Sequence, residues 1–153
     1  MKNSVCAIFV TYNPCESFFD NLKIILNQVE QVVIVDNHTL DQSFFDRISA
    51  FSWVAVIKNQ YNLGIAAALN QGVKWAINKN FKWVITFDQD SKPNETIVDD
   101  LFSEYNQSPK RDSIALLAPI YYDIATGYQS RYMRLEAFDH VITDLTITSG
   151  SLV

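Results

Sequence analysis

No run of about 18 consecutive apolar residues occurs in this chain, so no segment is long enough to read as a membrane-spanning helix. The first apolar run, Val5 to Val10, is too short and too soon interrupted to serve as the core of a secretory signal. Basic residues are scarce: 12 Lys and Arg stand against 17 Asp and Glu, a net charge of −5. Nowhere do Lys and Arg cluster with interleaved aromatics. Nucleic acid is thereby excluded as a partner, because neutralising phosphates requires such a patch. The same balance gives no broad attraction to anionic lipid. Cysteine is limited to Cys6, within the first apolar run, and Cys15, after a turn. Neither has metal-ligand spacing, and two unpaired thiols fit a reducing cytosol, so a cytoplasmic protein is expected. A glycine-rich turn is missing after the first strand, which disfavours a dinucleotide-binding oxidoreductase. Repeats, linkers and low-complexity segments are also lacking, and residues 1–153 read as a single domain.

What is present is the composition of a soluble globular protein, 48% apolar and 19% charged, with enough length for one real core. Val5 to Val10 reads as a strand, followed by the turn Thr11-Tyr12-Asn13-Pro14. Asn13 is placed to cap a helix, with Pro14 at its first position and Glu16 completing the cap. Phe18, Leu22, Ile25 and Val29 then recur at helical spacing. Val32 to Val35 is a second strand ending in Asp36-Asn37, and a short helix is expected from Phe44 to Phe51. Val54 to Ile57 forms a third strand. Gly64 opens a helix whose inner face is Ile65, Ala68, Leu69, Gly72, Val73 and Ala76. Trp83 to Phe87 is a fourth strand ending in Asp88-Gln89-Asp90-Ser91. Pro93 starts a further helix with Ile97, Leu101 and Phe102 inward. Ile114 to Ala118 reads as a fifth strand, and Ile147 to Val153 as another whose outer edge is open to self-association. Strands apolar on both faces, separated by amphipathic helices, predict an α/β domain with a mostly parallel sheet covered on both sides.

In such a sheet, ligands bind at the carboxyl ends of the strands. Three strands end there in polar residues: Thr11-Tyr12-Asn13, Asp36-Asn37 and Asp88-Gln89-Asp90. Two carboxylates one residue apart repel each other unless a cation lies between them. A hard ion, Mg²⁺ or Mn²⁺, would relieve that repulsion and bridge to phosphate oxygens, stabilising a departing diphosphate as a Lewis acid. The bland alternative is a turn-capping Asp88 and a solvated Asp90. Asp36 can accept from a pyrimidine imide N–H, or be an ordinary turn aspartate. Thr11, Tyr12 and Asn13 can supply hydroxyl, ring and amide contacts to a base. Asn62 and Gly64 stand at a helix N-terminus, a natural place for an anion, although Gly64 is also what a tight turn needs. His38 and His140 are isolated and read as surface residues.

The succession Val10-Thr-Tyr-Asn-Pro14, Val33-Ile-Val-Asp-Asn37, Asn62-Leu-Gly-Ile-Ala-Ala-Ala-Leu-Asn-Gln-Gly72 and Phe87-Asp-Gln-Asp-Ser91 resembles the family 2 glycosyltransferases of the GT-A fold. Asp88-Gln-Asp-Ser91 and the later Thr148-Ser-Gly-Ser151 bring it nearest to the bacterial rhamnosyltransferase branch. The resemblance implies that Thr11, Tyr12, Asn13 and Asp36 line a nucleoside pocket, with Asn62 and Gly64 beside it. It places Asp88 against ribose and diphosphate, and makes Asp90 the principal ligand of Mg²⁺ or Mn²⁺. Thr148, Ser149 and Gly150 then belong to the loop that meets the donor sugar or acceptor. The implied reaction is inverting transfer of a sugar, L-rhamnose from dTDP-rhamnose or a sugar from a UDP donor. The acceptor is a saccharide or lipid-linked saccharide of a surface polysaccharide, which also implies peripheral association with the inner face of the membrane. The family's general base is an acidic residue some way after the Thr-Ser-Gly-Ser segment. Asp139 and Asp144 precede that segment, and Val153 follows it closely. The base is therefore expected beyond Val153, and the chain is expected to be the N-terminal part of a longer catalytic domain.

Two alternatives stand beside this reading. A phosphatase of the haloacid-dehalogenase type also ends an apolar strand in Asp-x-Asp, but on its first strand and followed by Thr or Val. Here the motif is on the fourth strand and is followed by Ser91-Lys92-Pro93. The other alternative is a nucleotide-sugar-binding module without catalysis.

Overall fold

The computed structural model describes residues 4–120, 122, 126, 127 and 149–153. Among these, five strands and four α-helices alternate: β1 (Val5–Thr11), α1 (Phe18–Leu26), β2 (Gln31–Asp36), α2 (Gln42–Ile48), β3 (Val54–Lys58), α3 (Ile65–Asn78), β4 (Trp83–Asp88), α4 (Ile97–Gln107) and β5 (Ser151–Leu152). The sheet order is β3-β2-β1-β4-β5. The pairs β1–β2, β1–β4 and β2–β3 are parallel, whereas β5 runs antiparallel to β4.

The alternation of strand side chains divides the core in two. Val5, Ala7, Phe9, Val32, Ile34, Ile85 and Phe87 face α1, α2 and α4, which contribute Phe18, Leu22, Ile25, Phe44 and Leu101. Cys6, Ile8, Val10, Val33, Val35 and Val84 face the other way and are covered by α3 through Ala68 and Ala76. β1 is buried along its whole length, as a central strand with both faces covered must be. Phe9 anchors the first layer, edge-on to the Phe18 ring and stacked on Phe87. The mostly parallel, doubly covered sheet predicted from the apolar runs is what forms.

α3 approaches the sheet closely because of Gly72. A Cβ built there would meet the Cγ2 of Ile8 at 2.5 Å, and Ile8 is fully buried in the central strand. Gly72→Ala is therefore expected to destabilise the chain by about 1–3 kcal/mol through overpacking, outweighing the gain of about 1 kcal/mol that alanine brings to a helix interior. Urea unfolding of Gly72→Ala, Ile8→Ala and the double variant checks this. The double variant should be more stable than the sum of the two losses, and strict additivity would remove the proposed clash.

Several expectations are corrected. α1 begins at Phe18, not beside Pro14. Asn13 adopts a left-handed φ of 47° and caps nothing. Its N–H donates to Thr39 Oγ1, and Glu16 instead receives both guanidinium nitrogens of Arg47 at 2.6 Å. α4 begins at Ile97, four residues after Pro93. Pro93 is buried in the preceding loop, and an acceptor for the first turn comes from the turn after α1, where Gln28 Oε1 takes the Val98 N–H. α2 spans Gln42–Ile48 because the Asp41 side chain caps it by accepting from the Ser43 N–H. Ile65, assigned to the inner face of α3, is 58% exposed.

Residues 114–118 form no strand. Among the described residues their ladder contact is a bridge from Leu117 to Leu152, and Pro119 has no N–H to extend the pairing. That same bridge meets the outer side of β5, where an open edge had been expected: Leu117 and Leu152 exchange two backbone bonds of 2.9 and 2.8 Å. Residues 147 and 148 of the expected C-terminal strand lie outside the described residues, as do Asp139, His140 and Asp144. Cys6 is buried, with its thiol pushed up to about 12 by desolvation, and Cys15 is exposed; both are free. Among the described residues no helix is long and apolar enough to cross a membrane.

Candidate active site

The strand register sets the site. Thr11 lies beside Asp36, and Val10 beside Asp88, so the carboxyl ends of β2, β1 and β4 finish level with one another. Each end carries a polar residue, and side-chain hydrogen bonds tie the three together.

At the first junction Asp36 is 1% exposed. Its Oδ2 accepts from the hydroxyls of Thr11 (2.8 Å) and Thr39, and its Oδ1 accepts from the Thr39 N–H at 2.7 Å. A carboxylate offers about four acceptor positions. Among the described residues three are taken, which leaves one, on Oδ1. Thr39 Oγ1 also accepts from the Asn13 N–H at 2.8 Å, so the turn after β1 is fastened to the end of β2. Two non-glycine residues with left-handed backbone, Asn13 (φ 47°) and His38 (φ 80°), flank this junction. Such conformations concentrate where surrounding structure holds a loop in a functional shape. Tyr12 is 49% exposed, its ring outside the core.

At the second junction Asn37 gathers the loop that leads to α3. Its Oδ1 accepts from Asn59 Nδ2 (3.0 Å) and the Leu63 N–H (3.4 Å), and its Nδ2 donates to the Gly64 carbonyl. Asn62 Oδ1 accepts from the Gly64 N–H at 2.8 Å, so this side chain shapes the turn. Gly64 has a φ of 81°, a left-handed conformation that glycine adopts without cost.

The third junction is the loop after β4. Asp88 is half-buried and Asp90 exposed. Desolvation, and then the charge of Asp90, hold the Asp88 carboxyl above its ordinary value. Among the described residues neither carboxylate has a cationic side chain paired with it. The loop is fastened on both sides. Gln89 Oε1 accepts from the Tyr12 N–H at 2.8 Å, and Ser149 Oγ accepts from the Asp88 N–H at 3.1 Å while lying against the Ser91 hydroxyl. Gly150 (φ 75°) is buried against Pro119 and Ile97, with its N–H on the Thr86 carbonyl, and so places Ser149 under Asp88. Thr148 lies outside the described residues.

The structure thus brings Thr11, Tyr12, Asn13, Asp36, Asp88 and Ser149 to one edge of the sheet, with Asn62 and Gly64 reached through Asn37. Gln89, Asn37, Asn59, Thr39 and Ser91 were not singled out for these roles in the sequence. For Thr39 a signal existed, since a hydroxyl residue three positions after an aspartate suits a side-chain turn. A depression of about 300 Å³ lined by Lys23, Ile24, Asn27 and Glu95 shares no residue with this edge.

The two carboxylates suit a divalent cation in donor chemistry: both offer hard oxygens, one is raised by burial and then by its neighbour's charge, and neither has a cationic side chain among the described residues to compensate it. Asp88 and Asp90 would hold the ion, which when bound supplies positive charge for a diphosphate. Among the described residues no cluster of three or more His, Cys, Asp or Glu side chains converges, so water or phosphate would have to complete its coordination.

A parallel sheet in this order, with its chemistry at the carboxyl edge, is the frame of the GT-A glycosyltransferases. The chain matches the glycosyl transferase family 2 model over residues 6–149 and belongs to that family. No curated protein sequence matches it significantly. Among solved structures, S. aureus TarS 1–349 superposes with a TM-score of 0.65 at 17% identity, over 97% of this chain and 46% of that one. The same protein in complex with UDP-GlcNAc gives a TM-score of 0.56 at 21% identity, over 67% of this chain and 31% of that one. Glucosyl-3-phosphoglycerate synthase from Mycobacterium tuberculosis, in complex with UDP, gives 0.57 at 16% identity, over 80% and 46%. The chain spans less than half the length of these structures.

Proposed function

We propose that this chain binds a nucleoside diphosphate sugar at the carboxyl edge of β1, β2 and β4, and serves inverting transfer of the sugar to a saccharide hydroxyl. The observation that carries the reading is the joining of three polar strand ends by Thr11–Asp36, Tyr12–Gln89 and Asp88–Ser149 hydrogen bonds in a family 2 glycosyltransferase fold. TarS and the mycobacterial synthase, solved with UDP-GlcNAc and UDP, support a nucleotide sugar as the ligand class.

In this reading the Tyr12 ring, half-exposed, lies along the base, and the one free acceptor position of Asp36 takes the imide N–H of a pyrimidine. Thr11 and Thr39 hold that carboxylate in place. Asp88 and Asp90 hold Mg²⁺ or Mn²⁺, which offsets the charge of the departing diphosphate. The Ser91–Ser149 pair keeps Asp88 turned to the site. The Asp88-Gln-Asp-Ser91 and Ser149-Gly-Ser151 segments favour an L-rhamnosyl donor carried on dTDP. Surface polysaccharide is the destination, with the acceptor presented at the inner face of the membrane. In-line attack needs a general base beside the acceptor hydroxyl, and no residue is assigned to it. Membership in family 2 sets aside the phosphatase alternative; binding without transfer is separated from enzyme activity by assay.

Calorimetric titration of the purified chain with dTDP and with UDP, each with and without Mn²⁺, tests the reading. Binding is expected, tightened by the metal, with dTDP preferred. A folded chain that binds neither nucleotide under any condition would overturn it, and preference for UDP would overturn the rhamnosyl assignment alone.

A further inference from the structure

The bond from the Tyr12 N–H to Gln89 Oε1 spans 77 residues of sequence and joins the turn after β1 to the loop after β4. Gln89 is the residue between the two carboxylates. The opposite side of its loop is already pinned, since Asp88 N–H rests on Ser149 Oγ and Ser91 N–H closes back on the Asp88 carbonyl. Beyond Tyr12 the contacts continue: the Asn13 N–H is on Thr39, and Thr39 is on Asp36. An unbroken line of hydrogen bonds and peptide links therefore runs from the carboxylate pair to the buried aspartate of β2.

We propose that Gln89 is a positioning residue that couples the turn after β1 to the carboxylate loop, so that a divalent cation on one side tightens a nucleoside on the other. The inference rests on the function proposed above. Its physical basis is ordering. Without a cation, Asp88 and Asp90 repel, and that repulsion works against the Ser91–Asp88 and Tyr12–Gln89 bonds that close the segment between them. A cation drawing both carboxylates in fixes that segment, and with it the Gln89 carbonyl oxygen. The Tyr12 amide then has a stationary acceptor, and the Tyr12 and Asn13 backbone is ordered before the base arrives. Because the glutamine amide is uncharged, it transmits this without adding to the charge of the pair. Coupling between two binding equilibria is reciprocal, so the nucleoside must tighten the cation by the same factor.

A nucleoside lacking phosphate isolates the effect, since the metal then has no phosphate oxygen of the ligand to hold. Dissociation constants of uridine and thymidine are measured by calorimetry with and without MnCl₂, and of Mn²⁺ with and without nucleoside. In the parent chain each is expected to tighten the other about fivefold or more. In Gln89→Leu the factor should fall to one, whatever the change in the affinity of each ligand taken alone. Gln89→Glu keeps an acceptor oxygen within reach of the Tyr12 N–H and should keep the coupling. A factor of one in the parent, an undiminished factor in Gln89→Leu, or equal loss in both variants would each overturn the proposal. A folded parent that binds neither nucleoside nor Mn²⁺ overturns the proposed function first, and this inference with it.

Discussion

Asp90→Asn is expected to abolish the metal-dependent part of nucleotide binding while the unliganded chain unfolds at its parent's temperature or slightly above it. Asp90 is exposed, and no ion pair among the described residues involves it, so removing its charge costs the fold nothing and relieves only its repulsion of Asp88. Its loss should weaken Mn²⁺ by more than the roughly 10–100-fold that removal of an outer-sphere partner costs. Asp88→Asn should behave differently. Desolvation and the neighbouring Asp90 raise the Asp88 carboxyl, so its ionisation opposes folding. For an acid whose pKa is raised on folding, the favourable contribution is complete below the unfolded value and is lost as pH rises through the folded one. The penalty thus grows as pH rises through the folded value. Asp88→Asn should therefore raise the melting temperature of the metal-free chain at pH 7, with an advantage that shrinks toward acid pH, and should still lose metal binding. Thermal melts of both variants from pH 3 to pH 8, with and without Mn²⁺, decide the matter. Unchanged Mn²⁺ affinity in Asp90→Asn would sink the metal assignment. An Asp88→Asn chain less stable than its parent would show that the carboxylate is structural.

The frame of this molecule was legible in its apolar runs because β1, β2 and β4 are buried on both faces, with Thr86 of β4 the exception within a run. The strand ends were legible for the converse reason: Thr11, Asp36 and Asp88 are the first polar side chains after such runs. Boundaries failed where a distant residue decides them. Pro93 is a reasonable helix start on local grounds, yet α4 waits for the Gln28 side chain, in the turn after α1, to supply an acceptor. Asn13 and Glu16 have the look of a cap, but Thr39 and Arg47 compete for them more effectively. The apolar residues 114–118 have strand length, yet among the described residues their pairing is the single Leu117–Leu152 bridge. Gln89 was passed over because nothing local distinguishes a solvated glutamine from one bonded to an amide 77 positions earlier. Asn37 was noticed only as the neighbour of Asp36, although it holds the approach to α3.

Asp36 offers a case in which structure and recognition can be separated in a single residue. Asp36→Ala is expected to cost about 3–5 kcal/mol of stability, since it strands three buried donors, each worth about 1–3 kcal/mol when left unmet. That is a large share of the 5–15 kcal/mol typical of a whole domain. Asp36→Asn should cost far less. Its carbonyl oxygen can stay on the Thr39 N–H, the one donor here that cannot turn away. Its NH₂ then faces the Thr11 and Thr39 hydroxyls, which can rotate to accept. Both Thr11 and Asp36 are sealed from solvent, so the exchange takes place without competing water. Recognition should follow a different order. If the free position on Oδ1 takes a pyrimidine imide N–H, any rearrangement that presents the asparagine NH₂ there opposes one donor to another. Asp36→Asn should then bind dTDP or UDP about 10-fold or more weakly, a loss of roughly 1.4 kcal/mol, while remaining folded. Urea unfolding and nucleotide titration of the two variants give the pair of numbers needed. Wild-type affinity in a folded Asp36→Asn chain would confine Asp36 to holding Thr11 and Thr39 and would remove it from contact with the base. A severe loss of stability in both variants would mean that the carboxylate charge itself anchors the turn.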